Sequence, residues 1–259
     1  FAKQTQQNII YDAIHVDLGG FTQAVRNFQA NNGKGLNITV PFKLEAYKLV
    51  DELSVRAQRA GAVNTIIFQK DGRLKGDNSD GYGLVSDLTK RLKWSINAKR
   101  ILILGAGGAA RGVIEPILEQ QPKQVFIANR TASKAKDLAD EFKSLGNIQG
   151  GSYESLVAID QASIKYYNFD IIINATSASL NGQVPAIPEA IINSQTRCYD
   201  MMYGAQPTAF MLWASALGVS NVSDGLGMLV GQAGESFYLW RGIRPELEPV
   251  INLIRSLKD

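Results

Sequence analysis

The chain has 259 residues, of which 45% are hydrophobic and 20% charged, and it carries a net charge of +3 with an isoelectric point near 8.9. This length is sufficient for two compact domains, and a mild positive charge without a basic run argues against nucleic acid as a partner. The single cysteine, Cys198, and the single histidine, His15, exclude an intrachain disulfide framework and a Cys/His zinc site, so no metal is expected.

Strand and helix patterns alternate along the first third of the chain. A polar helix is predicted over 1–8, and apolar alternation then predicts strands over 9–16, where His15 would be half-buried, and over 35–40, where Pro41 ends the strand. Apolar residues at helical spacing predict one helix over 44–60, with Gly61 as its C-cap. Predictions for the next segments are a strand over 62–69, a turn at Asp71 and Gly72, a short strand over 73–75 and a helix over 82–93.

The remainder of the chain repeats the alternation more regularly. Strands are predicted over 100–104, 124–128, 169–174 and 198–201, helices over 109–120 and 132–144, and further helices after Gly225. Strands and helices at this spacing predict an α/β fold with a doubly wound parallel sheet. No run of about 18 apolar residues is found, so a membrane span is not expected.

A glycine-rich segment, GAGGAA at 105–110, follows the predicted strand over 100–104 and opens a helix. Gly105 suits the tight turn, Gly107 allows a pyrophosphate to approach the backbone, and the helix N-terminus favours phosphate. This pattern predicts a dinucleotide site. The alternative is a turn of small residues that packs a helix closely and binds nothing.

The end of the next strand bears on which nicotinamide cofactor is bound. NAD sites place Asp or Glu here, whereas this chain has Asn129 and Arg130, followed by Thr131 and Lys134. Guanidinium pairs with a 2′-phosphate that a carboxylate would repel, so NADP is favoured over NAD. The alternative for Arg130 and Lys134 is a solvated start of a helix.

Elimination narrows the chemistry of a ketone reduction. Cys198 and His15 are too few for a Cys/His zinc site, and no tyrosine has Lys four residues on. His15 lies far upstream on a predicted strand, which leaves Lys, Asp or Tyr to carry the proton. Lys43 follows a predicted strand and Asp80 precedes a predicted helix, so both are candidates for a shared cleft. The alternatives are a solvated lysine at a strand end and a helix N-cap aspartate.

Eight motifs along the chain, in this order, resemble those of the shikimate dehydrogenase family. They are GKGLNITVPFK at 33–43, GAVNT at 61–65, GDNSDG at 76–81, GAGGAAR at 105–111, NRT at 129–131, INATS at 173–177, YDM at 199–201 and DGLGMLVGQ at 224–232. The resemblance covers essentially the whole chain. It implies reversible, NADPH-dependent reduction of 3-dehydroshikimate to shikimate in the chorismate pathway.

The resemblance also implies roles for single residues. Lys43 and Asp80 would be the catalytic pair, and both would bind substrate together with Thr39, Asn64, Tyr203 and Gln232. Gln232 interrupts an apolar helix, where a buried amide requires partners, although a packing amide bonded to backbone is the alternative. The implied cofactor residues are Gly105, Ala106, Gly107, Gly108, Ala109, Asn129, Arg130, Thr131, Lys134, Thr176, Ser177, Met201, Gly225 and Met228.

The family's organisation implies two α/β domains with a cleft between them. Residues 1–81 and 226–259 would form the N-terminal substrate domain, and residues 82–225 the Rossmann-type NADP domain. The family's first strand and its Ser-x-Ser would lie before Phe1, so an incomplete N-terminus is expected. We expect a cytoplasmic monomer or homodimer that binds a small molecule and neither nucleic acid nor membrane.

Three departures and three rivals qualify the resemblance. Besides the absent Ser-x-Ser, Ser79 stands where Thr is usual, and Lys134 stands where many relatives have Arg. A quinate/shikimate dehydrogenase that accepts NAD and a non-catalytic NADP-binding regulator remain alternatives. A glutamyl-tRNA reductase would need an N-terminal catalytic cysteine, whereas Cys198 is late in the chain.

Overall fold

The structure, a computed structural model, describes residues 1–156 and 168–257. It contains two β-sheets, which agrees with the predicted α/β fold. None of the helices in these ranges is long and apolar enough to cross a membrane. The helices are α1 (Phe21–Ala30), α2 (Lys43–Leu49), α3 (Val55–Ala60), α4 (Asp80–Ser86), α5 (Gly108–Leu118), α6 (Ala132–Phe142), α7 (Ala209–Ala216), α8 (Leu226–Arg241) and α9 (Glu248–Ser256).

The first sheet has four strands and comes entirely from the N-terminal third of the chain. Its order is β1-β3-β4-β2, with the central hairpin β3–β4 antiparallel. Gly61 ends α3 in the left-handed conformation, with φ of 62°, as the sequence predicts. The strands are β1 (Gly35–Asn37), β2 (Glu52–Leu53), β3 (Thr65–Phe68) and β4 (Leu74–Asp77).

The predicted strand over 9–16 and the polar helix over 1–8 are wrong. No strand in the described parts of the chain includes residues 9–16 or pairs with them, and residues 2–6 form turns. Ile10 and Tyr11 are 88% and 68% exposed. A strand requires hydrogen bonds to a neighbour, which alternation of side chains cannot supply by itself. His15 is exposed, not half-buried.

The predicted single helix over 44–60 is also wrong, because the chain leaves the helix at Val50 and starts again at Val55. Between them Asp51 exchanges two bonds with Leu74, donating its N–H to the carbonyl at 2.9 Å and accepting the N–H on its carboxylate at 2.7 Å. Strand β2 then pairs in parallel with β4. Ser54 caps α3 by accepting the Ala57 N–H. Pairing at the sheet edge overrides the helical spacing.

The second sheet has six parallel strands in the order β10-β9-β8-β5-β6-β7. Strand β5 is central, with β8 and β6 on its two sides, which is the switch point of a doubly wound sheet. The strands are β5 (Arg100–Leu104), β6 (Gln124–Asn129), β7 (Ile148–Ser152), β8 (Ile171–Asn174), β9 (Arg197–Asp200) and β10 (Asn221–Ser223).

Both faces of this sheet are covered by apolar side chains. Ile101 and Ile103 of β5 join the core on the side of α5 and α6, whereas Leu102 and Leu104 join the core that contains Phe210 of α7. These four side chains are fully buried. Because successive strand side chains point to opposite faces, a continuous apolar run predicts a strand that is buried on both sides.

Helix α4 connects the two sheets and packs against both α8 and α5. The sequence predicts this helix over 82–93, whereas in the structure it begins at Asp80 and continues after Ser86 as a π-helical turn, Asp87–Arg91. In that turn Asp87 accepts the Tyr199 hydroxyl at 2.7 Å and pairs with Arg91. Burial and the charge of Asp87 raise the pKa of Tyr199 well above its usual value. This tyrosine is therefore a structural hydrogen-bond donor.

Candidate active site

Lys43 and Asp80, which are 37 residues apart in the sequence, form a direct ion pair. Lys43 is the first residue of α2 and Asp80 the first residue of α4, and Lys43 Nζ lies 2.6 Å from Asp80 Oδ2. Their side chains are 29% and 17% exposed, so the pair is half-buried but open to a small molecule. The N-terminus of α4 also favours a carboxylate electrostatically.

The geometry decides between the alternatives for these two residues. The N-cap of α4 is Ser79 rather than Asp80, and the Asp80 carboxylate bonds to side chains instead of capping the helix. Lys43 is paired and half-buried, not a solvated lysine at a strand end. A lysine and an aspartate in contact can share and transfer a proton. Their catalytic role stays a prediction.

Asn64 connects this pair to the hydrophobic core. It is 2% exposed, and its Nδ2 donates to Asp80 Oδ1 at 2.8 Å. Gln232, in the second turn of α8, lies beside it: Gln232 Oε1 is 3.5 Å from Asn64 Nδ2, while Gln232 Nε2 donates to the Leu229 carbonyl at 2.8 Å. The Gln232 amide is thus bonded to backbone on one side and faces the polar cluster on the other.

Thr39 and Tyr203 are the two remaining predicted substrate residues. Thr39 is exposed in the turn that leads from β1 into α2, and its carbonyl accepts the Phe42 N–H at 3.0 Å. Tyr203 is 41% exposed in the segment that follows β9, on the six-stranded sheet. Their part in substrate binding stays a prediction.

The segment 105–110 has the geometry that a dinucleotide requires. Gly105 follows β5 with φ of +102°, a conformation that side chains disfavour. Gly107 and Gly108 are exposed at the start of α5, and a Cβ on either would meet no atom within 4 Å. This open space lies at a helix N-terminus, so the residues fit a pyrophosphate. Ala106 is half-buried and Ala109 exposed beside them.

The residues that the sequence predicts to bind the 2′-phosphate of NADP lie at and after the end of β6. Asn129 is the last residue of β6, and its Nδ2 donates to the Thr131 carbonyl at 3.0 Å. Arg130, Thr131 and Lys134 are all exposed. Burial raises the pKa of Tyr153, while the positive charge of Arg130 lowers it. The donor set therefore suits an anionic ligand such as a ribose phosphate.

Asp200 is a residue to which the sequence analysis assigned no role. Although fully buried, it accepts bonds from Asn174 Nδ2 at 3.2 Å and Ser179 Oγ at 2.6 Å. Asn174 Oδ1 in turn accepts Thr176 Oγ1 at 2.7 Å, so this network fixes the loop with Thr176 and Ser177. An aspartate at the carboxyl end of a strand in a parallel sheet, where ligands of such sheets bind, was the available signal.

The residues predicted near the nicotinamide lie close to one another. Met201 and Met228 belong to the same buried core cluster. A Cβ on Gly225 would lie 2.2 Å from the Met201 carbonyl oxygen, so only glycine permits this approach of the two segments. Both methionines are less than a tenth exposed.

Cys198 is a buried residue of β9, and burial raises its pKa to about 12. A thiol in this state is a poor nucleophile. In residues 1–156 and 168–257 no group of three or more His, Cys, Asp or Glu side chains is placed to hold a metal ion.

Three family models match successive parts of the chain. The shikimate dehydrogenase substrate binding domain matches residues 1–66, shikimate / quinate 5-dehydrogenase matches residues 87–186, and the shikimate 5′-dehydrogenase C-terminal domain matches residues 225–255.

Individual relatives agree with the family models. A curated shikimate dehydrogenase (NADP(+)) from Saccharophagus degradans is 52% identical over 99% of this chain and 91% of that protein. The crystal structure of an Ael1 enzyme from Pseudomonas putida has a TM-score of 0.89 at 41% identity, covering 97% of this chain and 89% of that one. A Thermus thermophilus shikimate 5-dehydrogenase in complex with NADP(H) and shikimate has a TM-score of 0.82 at 28% identity, covering 98% and 90%.

Proposed function

This chain belongs to the shikimate dehydrogenase family, and we propose that it catalyses the reversible, NADPH-dependent reduction of 3-dehydroshikimate to shikimate. The observation that carries the proposal is the cluster of Lys43, Asp80 and Asn64, joined at 2.6 and 2.8 Å. Its three members come from three of the motifs that support the resemblance. A ketone reduction requires such a proton source beside a dinucleotide site.

The polar cluster provides groups for both binding and proton transfer. Bound NADPH supplies the hydride that the ketone carbon receives. Lys43 gives a proton from Nζ to the oxygen of the former ketone, and in the reverse direction it takes this proton back. Asp80 holds Lys43 in position and accepts a hydrogen bond from a ring hydroxyl. Asn64 donates through Nδ2, and we assign Thr39, Tyr203 and Gln232 to the other polar groups of the substrate.

We assign the cofactor residues to four regions of NADP. The adenosine phosphate would lie on Arg130 and its neighbours, because an exposed guanidinium pairs well with phosphate. The pyrophosphate is assigned to Gly105, Ala106, Gly107, Gly108 and Ala109, the adenosine phosphate to Asn129, Arg130, Thr131 and Lys134, the ribose side to Thr176 and Ser177, and the nicotinamide to Met201, Gly225 and Met228.

The proposed domains follow the two sheets. Strands β1–β4 fall within residues 1–81, which with 226–259 form the proposed substrate domain, and β5–β10 fall within the proposed NADP domain, residues 82–225. The single, buried cysteine agrees with a cytoplasmic location. We further propose a monomer or homodimer that does not bind nucleic acid.

The direct test is turnover. Purified protein is mixed with NADPH and 3-dehydroshikimate, nicotinamide absorbance is followed, and the product is identified as shikimate. Asp80→Asn, which retains the shape of the side chain but loses its charge, is the matched control. Turnover that is lost in this variant supports the proposal. NADPH binding without turnover in the wild-type protein would contradict it and would favour a non-catalytic NADP-binding protein.

A further inference from the structure

A group of buried hydroxyls surrounds the Asn64 amide, and one of them, Ser79 Oγ, also lies 3.0 Å from Asn64 Nδ2. The group comprises Thr65 at the start of β3, Ser79 before α4, and Ser236 on α8. All three residues are fully buried, with exposed fractions of 0%. They cannot touch a substrate, so any effect they have on the reaction acts through the residues they contact.

These groups determine which way the Asn64 amide points. Asn64 Oδ1 accepts the Ser79 backbone N–H at 3.0 Å, and a backbone N–H can only donate. On the other side, Nδ2 faces the Asp80 carboxylate, which can only accept when ionised. Turning the amide over would place oxygen against the carboxylate and nitrogen against the N–H. The orientation of the amide is therefore set by the donors to Oδ1 on one side and by the Asp80 carboxylate on the other.

The Thr65 hydroxyl provides the shortest bond to that oxygen. Thr65 Oγ1 donates to Asn64 Oδ1 at 2.8 Å, compared with 3.2 Å from Ser79 Oγ. Thr65 Oγ1 also lies 2.7 Å from Ser236 Oγ, which accepts from Asn37 Nδ2 at 2.9 Å. Ser236 Oγ also donates to the Gln232 carbonyl at 3.1 Å. A hydrogen-bonded chain thus links Asn37, Ser236, Thr65 and Asn64. Such chains strengthen each member by polarisation.

We propose that Thr65 is a positioning residue: its hydroxyl, supported by Ser236, holds the Asn64 amide nitrogen toward Asp80 and the bound ring. The inference rests on the proposed function, which gives Asn64 a substrate-binding role. Because Ser236 is one helical turn after Gln232 on α8, the same chain links the position of α8 to that of Asn64. The amides of Asn64 and Gln232 are thereby held at fixed positions relative to the ring of the bound substrate.

Two substitutions at Thr65 separate the hydroxyl from the packing. Thr65→Val keeps the shape but removes the hydroxyl, whereas Thr65→Ser keeps the hydroxyl and removes a methyl group. Thr65→Val is expected to raise the KM for shikimate by about tenfold, the effect of one buried hydrogen bond, with the KM for NADP unchanged. Thr65→Ser is expected to retain a KM close to that of the wild-type protein.

A second readout does not depend on turnover. The side-chain amide signal of Asn64 is recorded by NMR in ¹⁵N-labelled protein without ligand, and it is assigned by its absence in Asn64→Ala. This signal should be sharp in the wild-type protein and in Thr65→Ser. It should be shifted or broadened in Thr65→Val. If the wild-type protein did not oxidise shikimate, the proposed function would fail, while this signal would still test the positioning.

Two results would overturn the inference. One is a Thr65→Val protein with an unchanged KM or an unchanged Asn64 signal. The other is a Thr65→Ser protein as impaired as Thr65→Val, because packing rather than the hydroxyl would then matter. If Thr65→Val does not fold, Ser236→Ala takes its place: it removes the hydroxyl that is hydrogen-bonded to Thr65 Oγ1, and we expect the same changes with smaller size. An unaltered Asn64 signal in that variant also refutes the proposal.

Discussion

Replacing Lys43 tests whether its ammonium group carries the proton. Lys43→Met retains most of the side-chain length and removes the charge that lies 2.6 Å from Asp80 Oδ2. We expect kcat for shikimate oxidation to fall by about 10²- to 10⁴-fold, the usual contribution of a positioned proton carrier. At 1.36 kcal/mol for each tenfold, this corresponds to roughly 2.7–5.4 kcal/mol of transition-state stabilisation.

The fold should tolerate this change. Asp80 keeps its bond to Asn64 and its place at the start of α4, and the lost ion pair is partly open to solvent. A loss of stability of about 1 kcal/mol follows, or roughly 2–4 °C in Tm for a chain of this size. NADP affinity should be unchanged, because the segment 105–110 lies on the other sheet.

Lys43→Arg provides the matched control for charge. The guanidinium can pair with Asp80, but it does not release its proton in the accessible pH range. We expect Tm to recover and kcat to stay low in this variant. If Lys43→Arg or Lys43→Met retained kcat within about threefold of the wild-type value, with NADP affinity unaltered, Lys43 would not be the proton carrier.

Three further predictions concern the cofactor site and the sheet beneath it. Arg130→Ala should weaken NADP binding by about 10- to 150-fold, because it removes a hydrogen bond to a charged group that contributes roughly 1.5–3 kcal/mol. The affinity for NAD should not change, and fluorescence titrations with both nucleotides check this. Gly107→Ala should weaken NADP binding without lowering Tm, because the added Cβ meets no protein atom within 4 Å. Gly225→Ala should instead lower Tm, because the added Cβ would lie 2.2 Å from the Met201 carbonyl oxygen. NADP titrations and thermal melts of both variants separate the two effects. Cys198, with a pKa raised to about 12, should react with a thiol reagent near neutral pH only after unfolding, and modification in the native state would contradict its burial.

The NADP half of the fold could be predicted because its signals are local. The apolar run over 100–104 and the glycines that follow it determine a buried strand, a tight turn and a helix start without reference to distant residues. Strand β7 was not predicted because Gly150 and Gly151, which have no side chains, interrupt the apolar pattern of a strand. Those glycines are required by packing, since a Cβ on Gly150 would lie 2.1 Å from the Ala135 carbonyl oxygen of α6.

The first sheet shows why the remaining elements could not be predicted. Residues 9–16 have the alternation of a strand but no paired neighbour among the described residues, and residues 50–54 leave a helical pattern to pair with β4. Both outcomes depend on contacts between segments far apart in the sequence. For the same reason, sequence spacing alone could not distinguish a catalytic pair from a solvated Lys43 at a strand end and an Asp80 that caps a helix. Only the resemblance to the family indicated that the two residues form a catalytic pair.

The most direct test of the proposed activity is the set of kcat/KM values for shikimate and quinate, each with NADP and with NAD. We predict that shikimate with NADP gives the highest value, and that replacing NADP by NAD lowers it because Arg130 then has no 2′-phosphate to bind. Oxidation of neither acid by a protein that binds NADP would contradict the assignment of Lys43 and Asp80, and a preference for NAD would contradict the cofactor assignment.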